Sequence, residues 1–368
     1  MKDREVLDIE LFSFFSGLGL LDLGFESEGF NVSFVNEYDK RFMDAYCYAR
    51  RNDSHEPRYG YSTDDIRKFL NDEVWDHRFP DYKKQKGRLI GFIGGPPCPD
   101  FSTAGKNDGK DGKNGKLTQV YIELIAKRKP DFFVLENVKG LYKTKKHRKF
   151  YDEIKVKLKD LGYKLFDSIE NSLEYGVPQF RSRLFLVGFL GDSFKSELTC
   201  YIGGHKKYDI ETILNMPWPK KSMFKEEGIL RCPEGIQEDV TVEYWFRRNQ
   251  VDSHQNGRDF FKVKAEKKFR VISEGEVAGK SFKRLHRWRY APTSAYGNNE
   301  VHLHPYKMRR LSVAEALAIQ SAPRDFILPQ NLPLSVKFKM IGNGVPFLLS
   351  KGLAKDLIEC IRKFAKWI

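Results

Sequence analysis

One cysteine, Cys98, lies in a sequence setting that predicts a reactive thiol. It follows the apolar run Leu89–Ile93 and two glycines, and it stands between Pro97 and Pro99. The prolines favour an extended backbone and exclude the thiol from a helix. At the carboxyl end of a strand in an open α/β sheet, where ligands bind, such a thiolate can attack an electrophilic carbon. The alternative interpretation is a buried cysteine with a structural role only.

A carboxylate and two arginines occur at comparable positions further along the chain. Glu136 ends the apolar run Phe132–Leu135, so the sheet would carry it to the same edge as the thiol. Arg181 and Arg183 enter the later run Arg183–Phe189, and strand alternation points both side chains to one face. Such a pair can orient a carboxylate or hold a phosphate, although an ordinary surface ion pair remains an alternative.

A glycine-rich turn precedes these groups and predicts a ligand site of its own. Gly17 and Gly19 follow a predicted strand, Ile9–Phe15, and Glu37 ends the next strand, Asn31–Asn36. Glycines allow close approach of the backbone to a ligand, and a carboxylate at the second strand end accepts hydrogen bonds from ribose hydroxyls. The third glycine of the dinucleotide fingerprint is absent, which favours a nucleoside cofactor without a pyrophosphate. A tight packing turn is the alternative.

These groups require a sheet that brings strand ends together. Short apolar runs alternate with helical patterns in the first half of the chain, which predicts an α/β fold with a doubly wound, mostly parallel sheet. After about residue 192 this rhythm stops, and it returns near the C-terminus as amphipathic stretches at Ser312–Ser321 and Phe347–Ile368. We therefore predict a first part of a catalytic and cofactor-binding domain at 1–191, an inserted smaller domain at 192–290, and a return to the first domain at 291–368.

The charge of the chain predicts a polyanionic partner. Its net charge is +14, and residues 258–290 contain eleven Lys or Arg against four Asp or Glu. Phosphate neutralisation together with aromatic stacking on bases fits this composition, and Arg287 and Arg289 are the arginines expected to contact nucleic acid. The aromatic residues interleaved there are Phe260, Phe261, Phe269, Phe282, Trp288 and Tyr290.

The five cysteines bear on the cellular setting. They are odd in number and never spaced as C-x-x-C, so we expect neither a disulfide framework nor a metal site, and a reduced, cytoplasmic location. No run of about 18 apolar residues occurs, so we expect no membrane-spanning helix. We expect the protein to be a monomer.

Taken in order, these residues resemble the cytosine-C5 DNA methyltransferase family, whose fold is Rossmann-like. Eight motifs match over nearly the whole chain outside about 192–290, and together they are specific. The matching segments are Phe15–Gly19, Glu37, Asp65-Ile66, Pro97-Cys98, Glu136-Asn137-Val138, Gln179-x-Arg181-x-Arg183, Arg309–Ser312 with Glu315 and Gln320, and Gly342–Pro346.

The resemblance implies methyl transfer from S-adenosyl-L-methionine to carbon-5 of a cytosine flipped out of double-stranded DNA. It implies that Cys98 bonds carbon-6, that Glu136 contacts N3 and the amine, and that Arg181 and Arg183 position the base or Glu136. Residues 192–290 would recognise the target sequence, as in a restriction-modification enzyme. The implied cofactor-binding residues are Phe15, Gly17, Leu18, Gly19, Leu20, Glu37, Tyr38, Asp65, Ile66, Pro97, Asn343 and Val345.

Two positions depart from the family pattern. Leu20 replaces a usual glycine, which a helical backbone would tolerate, and Pro99 replaces a usual glutamine, which removes a DNA-facing side chain. Three alternatives remain open: a cytosine-C5 methyltransferase acting on transfer RNA, a catalytically silent DNA-binding homologue, and, more distantly, a nicotinamide oxidoreductase. The combination of Cys98, Glu136 and Arg183 argues against the second.

Overall fold

A computed structural model describes residues 8–52, 56–82, 87–97, 115–226, 231–263, 266–279, 281–293 and 300–366. The strands alternate with helices along the first half of the chain, as the pattern of apolar runs predicts. The strands are β1 (Asp8–Phe14), β2 (Asn31–Asn36), β3 (Tyr61–Ser62), β4 (Arg88–Gly94), β5 (Phe132–Val138), β6 (Tyr163–Asn171), β7 (Ser182–Leu190), β8 (Lys283–Arg284) and β9 (His302–Leu303).

The helices are longest in the two parts that flank the inserted segment. They are α1 (Leu20–Glu26), α2 (Lys40–Ala49), α3 (Asp72–Arg78), α4 (Gly115–Arg128), α5 (Gly140–Lys143), α6 (Lys145–Asp160), α7 (Ile210–Leu214), α8 (Val242–Arg248), α9 (Glu266–Val271), α10 (Val313–Ile319), α11 (Leu334–Asn343) and α12 (Phe347–Phe364). Short 3₁₀ helices occur at Ile66–Leu70, Ser172–Tyr175 and Glu238–Val240.

Among the described residues, seven strands form the main sheet, in the order β3-β2-β1-β4-β5-β7-β6. Every pairing from β3 to β5 is parallel, and β7 is antiparallel to both of its neighbours. This confirms the doubly wound, mostly parallel sheet. The sequence did not predict β3, which has only two residues, or β6, an edge strand whose charged and half-buried residues mask its apolar pattern.

Helices cover both faces of the sheet, so its strands are buried on both sides. One face packs against α1, α2 and α12 through residues such as Phe25, Tyr46 and Leu353. The other face packs against α3, α4 and α6 through residues such as Trp75 and Tyr121. These two layers hold the strand ends rigidly in place, which is the condition for a precise site at the edge of the sheet.

The segment 192–290 contains little regular structure in its described part, and its basic and aromatic residues are placed differently from the prediction. Phe269 and Trp288 are buried, so they do not offer free faces for stacking. Arg287 is also buried, and its guanidinium forms paired bonds with the Glu274 carboxylate at 2.9 and 3.0 Å. The expectation that Arg287 contacts nucleic acid is therefore wrong for this conformation, because its donors bind an internal acid.

The beginning of the same segment packs on the α/β part of the molecule. Phe194, Leu198 and Cys200 join the core that surrounds α12, and Cys200 forms a disulfide with Cys360 of that helix. The expectation of reduced cysteines is thus wrong for this pair. The division of the chain at residue 192 stays a prediction. Within the described residues, no helix is both long and apolar enough to cross a membrane.

Candidate active site

The candidate site lies along one edge of the sheet, where the parallel strands end. β1 and β4 are neighbours there, with Phe14 paired to Gly94, although the chain visits β2 and β3 between them. Ligands bind at such a reversal of strand order, because the loops that follow the two strands leave in opposite directions. The glycine turn after β1 and the Gly95–Pro97 segment after β4 therefore flank one crevice.

The turn after β1 has the backbone conformation of a ligand cradle. Phe15, Gly17 and Gly19 all have positive φ angles, of 54°, 57° and 77°, and Phe15 is unusual among them as a non-glycine residue. A Cβ at Gly17 would make one ordinary contact within 4 Å, with the Phe15 carbonyl oxygen at 3.9 Å. A Cβ at Gly19 would lie 2.3 Å from the Tyr46 ring. Gly17 thus leaves its surroundings uncrowded on the side where a side chain would stand, and Gly19 permits close packing against Tyr46.

Glu37 joins the turn to the end of β2. One carboxylate oxygen accepts a hydrogen bond from the Gly17 N–H at 2.9 Å, and the other accepts from the Asp39 N–H at 2.9 Å. Each oxygen retains a lone pair for a further donor such as a ribose hydroxyl. Burial raises the pKa of the Glu37 carboxyl, and hydrogen bonds from the backbone of Asp39, Gly17 and Tyr38 oppose that rise. Tyr38, beside it, is 72% exposed and has a free ring face.

A buried network beneath the turn was not found by sequence reasoning. The Asp22 carboxylate accepts from Ser13 at 2.8 Å and from Tyr46 at 2.9 Å, while Arg50 donates to the Gly19 carbonyl and lies over the Tyr46 ring. Burial raises the pKa of Asp22 to about 6, and Arg50 opposes this. The signal was an acidic residue between leucines at the start of α1, where a free carboxylate would be costly.

The other predicted cofactor-binding residues differ in local structure and in exposure. Leu20 is the first residue of α1, so its backbone is helical and the departure from glycine is tolerated there. Asp65 caps the 3₁₀ helix after β3 and pairs with Arg67 at 3.0 Å, which uses part of its carboxylate. Leu18, Ile66 and Val345 are buried, and Pro97 and Asn343 are exposed.

Glu136 and Arg183 form an ion pair at the same edge. Arg183 Nε lies 2.9 Å from Glu136 Oε1, and both side chains are largely buried. Burial raises the pKa of the Glu136 carboxyl, while Arg183 and Arg181 lower it in part. A carboxyl group with a raised pKa can hold a proton and donate it to a ring nitrogen, which a solvated glutamate does rarely at neutral pH.

Arg181 forms hydrogen bonds with the last of the eight sequence motifs, Gly342–Pro346. Its guanidinium donates to the carbonyls of Gly342 and Gly344 at 2.8 and 3.0 Å, between the end of α11 and the start of α12. Gln320 donates to the Ile341 carbonyl at 2.6 Å in the same region. The two arginines predicted as a pair thus act on different partners, with Arg183 on Glu136 and Arg181 on the loop before α12.

Cys98 lies outside the described residues, as does most of the loop that follows it. The segment leading to it is described and approaches Glu136 closely, because a Cβ at Gly95 would lie 2.7 Å from Glu136 Oε2. The backbone therefore passes against the Glu136 carboxylate three residues before the thiol. This placement is the part of the predicted Cys98 site that the described residues provide.

The sheet, the glycine turn and the buried Glu136–Arg183 pair fit the site expected of a nucleic-acid-modifying methyltransferase, and the comparisons with known proteins show that class. The family model for C-5 cytosine-specific DNA methylase matches residues 9–359. The chain belongs to that family. It is 52% identical to the Type II methyltransferase M.NmeDI of Neisseria meningitidis serogroup C, over 94% of this chain and 83% of that protein. It is 31% identical to M.MthTI of Methanothermobacter thermautotrophicus, over 95% of this chain and 97% of that protein.

Solved structures share the fold at lower identity. A prophage-encoded E. coli protein described as a DNA modification methyltransferase superposes with a TM-score of 0.69 at 20% identity, covering 96% of this chain and all of that one. Spodoptera frugiperda DNMT2 superposes with a TM-score of 0.58 at 15% identity, covering 95% of this chain and all of that one. At these identities the likeness concerns the fold alone.

Proposed function

We propose that this DNA cytosine-5 methyltransferase uses S-adenosyl-L-methionine to methylate one specific duplex sequence, as the modification enzyme of a restriction-modification system. The observation that carries the proposal is the Glu136–Arg183 pair, which lies at the edge of the sheet beside the turn that leads to Cys98. The Type II names of the similar proteins support the restriction-modification role.

The residues at the first three strand ends fit the cofactor. The uncrowded side of Gly17, which has no side chain, suits a ligand placed against the turn, and the Glu37 oxygens suit two ribose hydroxyls. The exposed Tyr38 ring suits stacking on adenine. When bound there, S-adenosyl-L-methionine supplies a methyl group as an electrophile. Phe15, Asp65 and Ile66 would complete the walls of this site.

Cys98 and Glu136 would prepare the base for methylation. The Cys98 thiolate adds to carbon-6 of the flipped cytosine, and the electron pair moves through the ring so that carbon-5 becomes nucleophilic. Glu136 donates a proton to N3 as the sulfur–carbon bond forms, which its raised pKa favours. After the methyl group is attached, a base takes the proton from carbon-5, the sulfur–carbon bond breaks to restore the thiolate, and N3 returns its proton to the Glu136 carboxylate.

A mechanism-based trap tests this chemistry. Duplex DNA pools containing 5-fluorocytosine cannot release a proton from carbon-5, so we expect a covalent protein–DNA complex that requires S-adenosyl-L-methionine. Cys98→Ser should form no such complex while it still binds DNA. Cys232→Ser is the matched control, because Cys232 is a free thiol outside the proposed site. A complex that persists with Cys98→Ser would overturn the assignment.

Substrate class is tested separately by transfer of a tritiated methyl group. We expect label in a random-sequence duplex DNA pool and none in transfer RNA, because the family match is to DNA methylases. Label in transfer RNA alone would support the RNA-methylating alternative. Sequencing of methylated cytosines in cells that express the chain would then identify the target sequence.

A further inference from the structure

Four exposed lysines follow directly after the strand that carries Glu136. Lys139, Lys143, Lys145 and Lys149 belong to α5, α6 and the residue before α5, and we call them the α5–α6 lysines. Residues 139–149 contain six Lys or Arg and no Asp or Glu, so they hold a large part of the net charge of +14.

The topology places this cluster at the active edge of the sheet. β6 runs parallel to β5, since both are antiparallel to β7, and α6 is the crossover that connects them. α6 therefore starts at the edge where Glu136 lies and ends at the opposite edge. Lys145 and Lys149 are near its start, and the exposed Lys157 and Lys159 are near its end, about 1.5 Å further per residue.

The α5–α6 lysines have no carboxylate partner among the described residues. Arg148, which lies between them, pairs with Asp152 at 2.9 Å and packs over the Tyr142 ring at 4.0 Å. No ion pair joins Lys139, Lys143, Lys145 or Lys149 to any described acid, and the Lys143 ammonium lies 5.9 Å from the centre of the Tyr142 ring. Their charges are thus directed to solvent or to a partner.

This arrangement does not help the helix itself. Cations at a helix N-terminus oppose the helix dipole, and α6 has no acidic residue in its first turn. Lys145 and Lys149 are also like charges at spacing i, i+4, which repel each other. By contrast, α10 begins with a capping box between Ser312 and Glu315. A cluster that weakens its own helix indicates a role in binding an anion.

We propose that the α5–α6 lysines bind phosphates of the DNA strand that carries the target cytosine. This inference rests on the proposed function, because it requires DNA at the Glu136 edge. Lys139 is three residues from Glu136, so their Cα atoms lie within about 11 Å of each other. A strand whose cytosine reaches Glu136 passes close to these ammonium groups. Contacts of this kind fix the position of the strand and carry no base specificity.

Two double variants on one helix test the proposal with equal changes in charge. Lys145→Gln/Lys149→Gln removes the cluster on α6, and Lys157→Gln/Lys159→Gln removes two lysines at the far end as the control. Binding of a random-sequence duplex is measured over a series of salt concentrations. Each lost phosphate contact lowers the slope of log K against log salt by about 0.9, so we expect the first variant to lose a slope of about 2.

The control variant should keep the wild-type slope. The first variant should also melt at or above the wild-type temperature, because it loses cations that oppose the helix dipole, so weaker binding cannot come from unfolding. Equal slopes for both variants would overturn the proposal. If the wild-type protein binds S-adenosyl-L-methionine but neither binds nor methylates duplex DNA, the proposed function itself is wrong, and this inference falls with it.

Discussion

The α/β body and the inserted segment place their candidate binding residues differently. In the body, Glu37 and the largely buried Glu136–Arg183 pair lie at the edge where the parallel strands end. In the segment, Arg284 and Arg287 point inward and are buried. An arginine can thus belong to a binding site in one region and bond internal groups in the other. The density of charged residues in the sequence does not distinguish these two roles.

The difference follows from how each region forms hydrogen bonds with its backbone N–H and C=O groups. Strand ladders bond the peptide groups of the body, whereas the one described strand of the segment, β8, has only two residues. Arg284 supplies the missing donors, to the carbonyls of Phe269, Ile272 and His304 at 2.7, 2.8 and 2.6 Å. Burial lowers the pKa of Arg284 to about 10. In this segment Arg284 thus bonds three carbonyls that would otherwise be buried and unsatisfied.

The largest effect is expected in the body, at the reacting edge. Glu136→Gln removes a proton donor, so methyl transfer should fall by about 10²- to 10⁴-fold, the usual contribution of a general acid. Cofactor affinity, measured by calorimetry, should stay within about twofold because the cofactor turn is unchanged. Glu123→Gln on α4 is the control and should retain wild-type activity. If the Glu136→Gln enzyme kept wild-type activity, the assignment of Glu136 as the proton donor would be wrong.

Arg287→Gln tests the inward-facing charges of the segment. It leaves the buried Glu274 carboxylate without its paired donor, and breaking a buried pair costs about 3–5 kcal/mol of unfolding free energy. Chemical denaturation measures this loss directly. A variant as stable as wild type, with weakened DNA binding, would show instead that Arg287 contacts DNA and that the two regions use charge alike.

Asp22→Asn tests the network beneath the cofactor turn through pH. The folded pKa of Asp22 is about 6 against 3.8 for the ordinary group. The unfolded chain therefore ionises first, and the free energy of unfolding falls as pH rises from about 4 to about 6, by about 3 kcal/mol. The variant should lack this part of the pH dependence. Identical pH profiles for the two proteins would contradict the assignment.

The smallest effect is expected for Arg289→Gln. Arg289 is half-buried, with a weak 3.5 Å contact to the Pro219 carbonyl, so its guanidinium is available to a partner. One lost phosphate contact lowers the salt slope of DNA binding by about 0.9 and leaves the denaturation midpoint unchanged. A large loss of stability would place Arg289 with Arg284 and Arg287 as an internal residue.

Much of the body was predictable from the sequence, because its candidate functional residues stand at the ends of predicted strands. The run Asn31–Asn36 coincides with β2, and the Glu136 prediction relied only on the rule that parallel strands end at one edge. The separate partners of Arg181 and Arg183 were not predictable, because strand alternation fixes a face but not a partner. The Arg287–Glu274 pair was not predictable either, since residues 13 apart in an irregular segment have no fixed spatial relation.

The disulfide between Cys200 and Cys360 closes a ring of chain that spans 160 residues and contains most of the inserted segment. A protease that cuts once at any loop inside this ring opens it without separating the pieces. The nicked protein would migrate as one band in a denaturing gel without reductant and as two bands with it. The covalent path between the segment and the last helix thus survives damage to the loops that connect them.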